Sequence, residues 1–193
     1  MKIISKNSLI IYLIIILLLA SVYLNISTIQ QNKKYENYLT QEIGNTLRPM
    51  GSSIETGNEM LENALNDGSI SGRQLIDLFF IFEGFTLKHQ DLGYLAYITQ
   101  DRSISIPENT WDFSRYLNQM INENSLWLHQ VAETEEIISL NAEHLITFRQ
   151  VQSVTERYKE IFVDYEDWDY SVTNEHWIII LDKILDADRR FAN

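Results

Sequence analysis

The sequence predicts an all-α fold in which an N-terminal transmembrane helix continues into a four- or five-helix antiparallel bundle. Three observations predict it. An uncharged run from Asn7 to Asn32 has a near-continuous apolar centre at Leu9–Leu24. Pro49 and Pro107 are the only prolines, and none of the seven glycines lies beyond Pro107, so the last 86 residues are free of both helix breakers. Apolar residues elsewhere recur three or four apart, the period of a helix buried along one face.

The anchor comes first in the chain. Lys6 and Lys33 bracket 26 residues without a charge, and a helix needs roughly 20 residues to cross a ~30 Å hydrocarbon layer. Ser8–Ile29 supply that length, with Tyr12 and Tyr23 near the two ends of the apolar centre, where amphipathic rings settle. The chain then divides into a short cytoplasmic tail (1–6), a transmembrane anchor (7–29) and an acidic helical-bundle domain (30–193). The rival reading is a cleaved signal peptide. Cleavage after Ala20 or Ser21 puts Leu18 or Leu19 where a small residue is wanted, which favours an uncleaved signal-anchor. Lys2 and Lys6 face Lys33 and Lys34 across the span, so basic residues barely bias the orientation. The short tail and the long acidic remainder favour a single-pass protein of the cell membrane with its C-terminal domain extracytoplasmic.

Charge and cysteine content narrow the chemistry. Residues 1–30 hold Lys2 and Lys6 and no acid, which leaves 13 basic and 27 acidic side chains in 31–193, a net −14. Such a body is repelled by nucleic acid and by anionic surfaces, so no nucleic-acid partner is expected. Cysteine is absent, which removes disulfides, zinc–thiolate and iron–sulfur sites, and thiol nucleophiles.

Along the soluble part, Leu39, Ile43, Leu47, Met50, Ile54, Leu61 and Leu65 form one stripe on a helix over roughly 30–66. Pro49 followed by Gly51 predicts a kink or interruption, and Asn66-Asp67-Gly68 predicts its end. Ser71 is the expected N-cap of an almost wholly apolar helix over 72–89, placed centrally in the bundle. A short helix over Tyr94–Gln100 and a loop over Asp101–Pro107 follow. Thr110 is then expected to cap a helix burying Trp111, Leu117, Met120 and Ile121. The polar Asn122–Ser125 segment predicts a break, with Ser125 capping a long helix from Leu126 to about Val163. Ile137, Asn141, His144, Phe148, Val151, Thr155, Tyr158 and Phe162 give that helix a heptad, coiled-coil-like seam that makes the 30–66 helix its natural antiparallel partner. Thr173 is expected to cap a last helix carrying Trp177, Leu181, Ile184 and Phe191, with Arg189 and Arg190 at its C-terminal end.

Reactive constellations find little support. None of the four histidines follows a glutamate by three positions, as bundle carboxylate metal sites require, so neither metal nor cofactor is expected. Gly68-Ser-Ile-Ser-Gly72 has the glycine spacing of a nucleophile elbow, but Ile70 stands where the serine is needed. Asp164-Tyr-Glu-Asp-Trp-Asp-Tyr170 lacks the glycine of a calcium loop. Its Tyr165, Trp168 and Tyr170 are the candidate contacts for a partner or ligand, against the plainer reading of an acidic loop whose rings tuck onto the bundle. Phe79, Phe82, Tyr94 and Tyr97 are candidates to line a pocket between helices. The expected function is therefore a non-enzymatic, membrane-anchored module that binds or regulates another protein at the cell envelope, with the bilayer and a protein as partners and room for a homo-oligomer. The alternatives are a small-molecule sensing bundle that relays through a partner and, further off, an envelope enzyme.

Overall fold

The computed structural model describes residues 6–124, 126, 136–165 and 170–189, with 6–9 as backbone alone. Among them the chain forms helix α1 (Lys6–Asp67), strand β1 (Ser69–Ser71), α2 (Gly72–Gln100), α3 (Glu108–Glu123), β2 (Ile137–Ser139), α4 (Ala142–Asp164) and α5 (His176–Arg189). The chain is mostly helical. One helix, α1, is long and apolar enough to cross a membrane, and its apolar window is not buried at all.

α1 runs for 62 residues without interruption, and Pro49 lies inside it. The expected break at Pro49–Gly51 does not occur. Proline deletes one ladder hydrogen bond, here the one to the Asn45 carbonyl; Asn45 and Pro49 both lie on the exposed side, where water replaces the lost donor. From Ile10 to Tyr38 no residue of α1 is buried. Beyond that the striped positions Ile43, Leu47, Met50, Ile54 and Leu61 are all at most 1 % exposed and form one wall of the core. Gly68 ends the helix at φ +64°, a left-handed conformation that glycine adopts without a Cβ clash.

Ser71 caps α2 as expected: its hydroxyl accepts the Gln74 N–H at 3.2 Å while the Gln74 side chain accepts the Ser71 N–H at 3.0 Å. The separate short helix expected over 94–100 is instead the end of α2, which continues through Gly93. That glycine is a packing site, because a Cβ there would lie 3.2 Å from the Ile104 carbonyl oxygen. At the start of α3 the cap position belongs to Pro107, whereas Thr110 turns its hydroxyl back to donate to the Pro107 carbonyl. Leu117, Met120 and Ile121 are buried as the spacing requires, but Trp111 is 36 % exposed and Phe113 takes the inward place. α3 stops at Glu123, in agreement with the expected break; Ser125 lies outside the described residues.

The long helix from Leu126 is the largest departure. α4 begins at Ala142, with Asn141 as its N-cap in a reciprocal capping box with His144. Ile137 belongs to β2, which pairs antiparallel with β1 in the register Ser69–Ser139, Ile70–Ile138, Ser71–Ile137. The fold is thus not purely helical, and the heptad seam loses its first two positions. Phe148, Val151, Thr155 and Tyr158 are buried as the seam requires, yet they pack into the same body instead of a separate coiled coil. α5 starts at His176, three residues after the expected cap at Thr173. The His176 N–H donates to Asn174 Oδ1 at 3.1 Å. Trp177, Leu181 and Ile184 are fully buried, and Arg190 and Phe191 lie outside the described residues.

α1 packs against α2 and α4, α2 against α3, and α4 against α5. Between α1 and α4 the pairings run Gly51 with Phe162, Glu55 with Lys159 and Asn58 with Thr155, so numbers rise on one helix as they fall on the other. Rings fill the centre: Phe113 stands edge-on to Phe82 at 5.0 Å and to Phe148 at 5.4 Å, and Phe85 stacks on Tyr158 at 5.3 Å.

Candidate functional site

A cavity of about 510 Å³ is a half-open groove between α1 and the C-terminal part of α4. Leu47 and Phe162 make its apolar floor, and Arg48, Glu55 and Lys159 stand along its rim. Its depth depends on Gly51, since a Cβ there would sit 3.1 Å from the Phe162 ring. Lys159 Nζ meets Glu55 Oε1 at 3.2 Å with both side chains about half exposed, an arrangement worth at most about 1 kcal/mol. Arg48, also exposed, has no ion pair among the described residues. Two cations on one rim are notable on a body whose residues 31–193 carry a net −14.

Tyr170 lines the foot of this groove. It is 9 % exposed, and its hydroxyl donates to the Tyr165 carbonyl at 2.8 Å. Tyr165 is half-buried against the core at the C-terminal end of α4. Of the three aromatic contact candidates, then, one is a buried wall residue, one is a packed helix terminus, and Trp168 lies outside the described residues. The four pocket candidates all sit on α2 but face different ways: Phe82 is fully buried, Phe79 is half-buried, and Tyr94 and Tyr97 are 66 % and 57 % exposed. None of the four lines the α1–α4 groove.

A second cavity of about 400 Å³ opens between α3 and α4, lined by Asn109, Asp112, Tyr116, Thr147 and Gln150. Burial of Tyr116 pushes its hydroxyl pKa above the ordinary value, and the hydroxyl has no hydrogen-bond partner among the described residues.

Deeper polar groups hold the helices together. Asp188, in the last turn of α5, is 4 % exposed and accepts the Tyr158 hydroxyl at 2.5 Å and the Asn109 N–H at 3.2 Å. Asn109 lies in the first turn of α3, so a carboxylate from another helix does the capping that Pro107 cannot. Burial and the neighbouring carboxylate raise the Tyr158 pKa well above its usual value. His89 is fully buried; its Nε2 is 3.4 Å from the Leu181 carbonyl oxygen, and burial depresses its pKa to about 4. Its ring is therefore neutral at pH 7, with Nε2–H as donor and Nδ1 without a partner among the described residues. His144, on the predicted seam, serves the α4 cap, and among the described residues no three potential ligands converge on a metal position.

Sequence reasoning found Tyr170 and Phe162 but not the groove they share with Arg48 and Gly51. Arg48 and Lys159 are 111 residues apart, and only the pairing of α1 with α4 joins them. No protein-family model, curated protein or solved structure matches this chain.

Proposed function

We propose that this chain is a single-pass, membrane-anchored helical-bundle module that binds another protein at the cell envelope and acts by contact, not by catalysis. The observation that carries the reading is the continuity of α1. One unbroken helix contains both the segment fit to cross a membrane and the stripe that forms a wall of the core. A partner meeting the body meets it at a height fixed by helix geometry. The opposed numbering of the α1–α4 contacts supports an antiparallel bundle. The α1–α4 groove is the contact surface in this reading: its apolar floor takes a side chain from the partner, and Arg48 and Lys159 attract an acidic segment. In this reading the body stands outside the cytoplasm.

The test is site-specific photocrosslinking in intact cells, with the reactive residue at Arg48 or Val163 in the groove and at Glu123 as a control. A discrete adduct from 48 and 163, absent at 123 and weakened by Lys159→Glu, supports the reading; equal labelling at all three sites refutes it. Protease added to spheroplasts reports the side of the membrane, because a C-terminal tag is lost only if the body is outside.

One observation favours a second reading. A groove of about 510 Å³ falls within the range of small-molecule sites. A sensing role through this groove predicts that small aliphatic and aromatic carboxylates raise the melting temperature of the full chain, and that Gly51→Leu abolishes the rise.

A further inference from the structure

Helices α3 and α4 run antiparallel: the Tyr116 and His144 rings lie 6.1 Å apart, and Phe113 meets Phe148 at 5.4 Å. α3 packs mainly on α2, and beyond those ring contacts it stands off α4 and leaves the cleft of about 400 Å³. Each wall is a single helix face, residues 109–116 of α3 and 147–154 of α4. The α3 wall is fixed from behind. Asp188 of α5 accepts the Asn109 N–H at 3.2 Å, and Asn109 Nδ2 donates to the Asp188 carbonyl at 2.7 Å. A cleft held open in this way takes a ligand without the cost of ordering its walls.

The lining is rich in hydrogen-bond acceptors. Asp112 supplies a carboxylate, which only accepts. Asn109 has its amide nitrogen turned to the Asp188 carbonyl, so Oδ1 is its free end. Thr147 and Gln150 each add an acceptor. The Tyr116 hydroxyl is buried with no hydrogen-bond partner among the described residues, and a buried polar group left unpaired favours any ligand that pairs it. The charge is of one sign. No lysine or arginine among the described residues lines the cleft. Arg115 reaches Asp112 at 3.6 Å with both side chains mostly exposed, a weak pair in water. Glu143 and Glu123 add negative potential at the Tyr116 hydroxyl. Beneath these groups Phe113, Val151 and Val154, all buried side chains, give an apolar floor.

We propose that the α3–α4 cleft binds a small primary amine in its ammonium form, with the charged group between Asp112 and the Tyr116 hydroxyl and an apolar body on Phe113, Val151 and Val154. Asp112 and Tyr116 are four residues apart on one helix face, so both reach the same cation. An ammonium has three donors and no acceptor, which matches an acceptor-rich wall. A carboxylate or phosphate meets no cation there and is repelled by Asp112. The volume falls within the range of small-ligand sites. The cleft is separate from the α1–α4 groove: α4 contributes Thr147 and Gln150 here, and Lys159 and Phe162 there. The assignment therefore rests neither on the groove nor on the membrane anchor.

Isothermal titration calorimetry of the full chain in a non-ionic detergent tests it, with micelle-only titrations subtracted. The probes are phenethylamine, its neutral counterpart phenethyl alcohol and the anion phenylpropanoate. The amine should bind saturably and about tenfold more tightly than the alcohol, and the anion should not bind. Asp112→Asn should weaken the amine about two- to fivefold, as for an exposed ion pair. Tyr116→Phe should weaken it about two- to tenfold. That variant loses an unpaired hydroxyl, so the melting temperature of the free protein should not fall, which separates a lost contact from a lost fold. Lys159→Glu, in the groove, should leave amine affinity unchanged. Equal affinity for amine and alcohol overturns the charge selection and the assignment with it. Amine binding that neither cleft variant weakens, or that Lys159→Glu tightens, places the ligand elsewhere and also overturns it. So does the absence of saturable heat from phenethylamine, cyclohexylamine and butylamine alike.

Discussion

The two halves of α1 are one continuous helix with opposite relations to their surroundings. Between Ile10 and Ile29 the side chains are almost all exposed, and isoleucine, leucine and valine occupy every face, while Gln30–Tyr38 are exposed and mostly polar. Between Ile43 and Leu61 the buried apolar residues keep to a stripe, and Ile43, Leu47, Met50, Ile54 and Leu61 are at most 1 % exposed on a helix that packs against α2 and α4. A helix satisfies its backbone hydrogen bonds internally in either medium, so backbone chemistry does not separate the two halves. The difference is angular. All-round apolarity asks for an apolar solvent, and a stripe asks for a neighbouring helix.

Matched truncations should separate the halves most strongly. Ile54→Ala removes a side chain with no exposed surface and should cost about 2–5 kcal/mol of body stability. Leu17→Ala, made in the bare half, should leave the body's melting curve where it is. Thermal melts followed by near-ultraviolet circular dichroism in detergent compare them. Equal losses from the two variants would mean that the bare half also packs on protein.

The next largest effect comes from His89, which belongs to the sealed region. Its pKa is about 4 in the folded body, against about 6.5 in an unfolded chain. Between those values the unfolded state binds the extra proton, so stability is complete above about pH 6.5 and falls as the pH drops toward 4. The full loss approaches about 3.5 kcal/mol at about 1.4 kcal/mol per pKa unit. Urea titrations at pH 7 and pH 4.5 should show most of it, and His89→Leu should flatten that part of the profile. A wild-type midpoint that does not move between those pH values would show that the ring is open to water.

The Tyr158–Asp188 contact is smaller in effect and joins two helices that no spacing pattern links. Tyr158→Phe removes a hydroxyl donor to a buried carboxylate that still holds the Asn109 N–H, and should cost about 1.5–3 kcal/mol. Asp188→Ala leaves both donors unpaired and should cost more than Tyr158→Phe in the same chemical-denaturation assay. The reverse order would mean that the carboxylate is the strained partner.

Local signals were legible where they were self-contained. The stripe on α1, the Gly68 stop and the Ser71 cap each lie within a few residues and depend on no distant partner. The start of α4 was illegible because the residues before it are drawn into β2, whose partner β1 lies 66–70 residues earlier; helix-like spacing at Ile137 and Asn141 gave no sign of that pairing. Gly93 misled for a related reason. Read alone it is a breaker, whereas in the fold it is the gap that admits the Ile104 backbone. The groove was illegible too, because its rim joins residues from the two ends of the domain. Tyr170 was singled out as a contact residue on composition, and it turned out to be the groove's buried wall.

The smallest expected effect tests the boundary between the two halves of α1. Gly44 and Gly51 are both glycines in the interior of helix α1, and glycine is about 1 kcal/mol worse than alanine in a helix interior. At Gly44 a Cβ would meet nothing within 4 Å, so Gly44→Ala should gain about 0.5–1 kcal/mol. At Gly51 the same methyl group would press on the Phe162 ring at 3.1 Å. The ring must yield by a few tenths of an ångström, so Gly51→Ala should gain less than Gly44→Ala or nothing, while narrowing the groove. Melting curves of the two variants decide it. If Gly51→Ala stabilises as much as Gly44→Ala, Phe162 is free to swing aside, and the groove between α1 and α4 is a soft surface whose shape a partner can set.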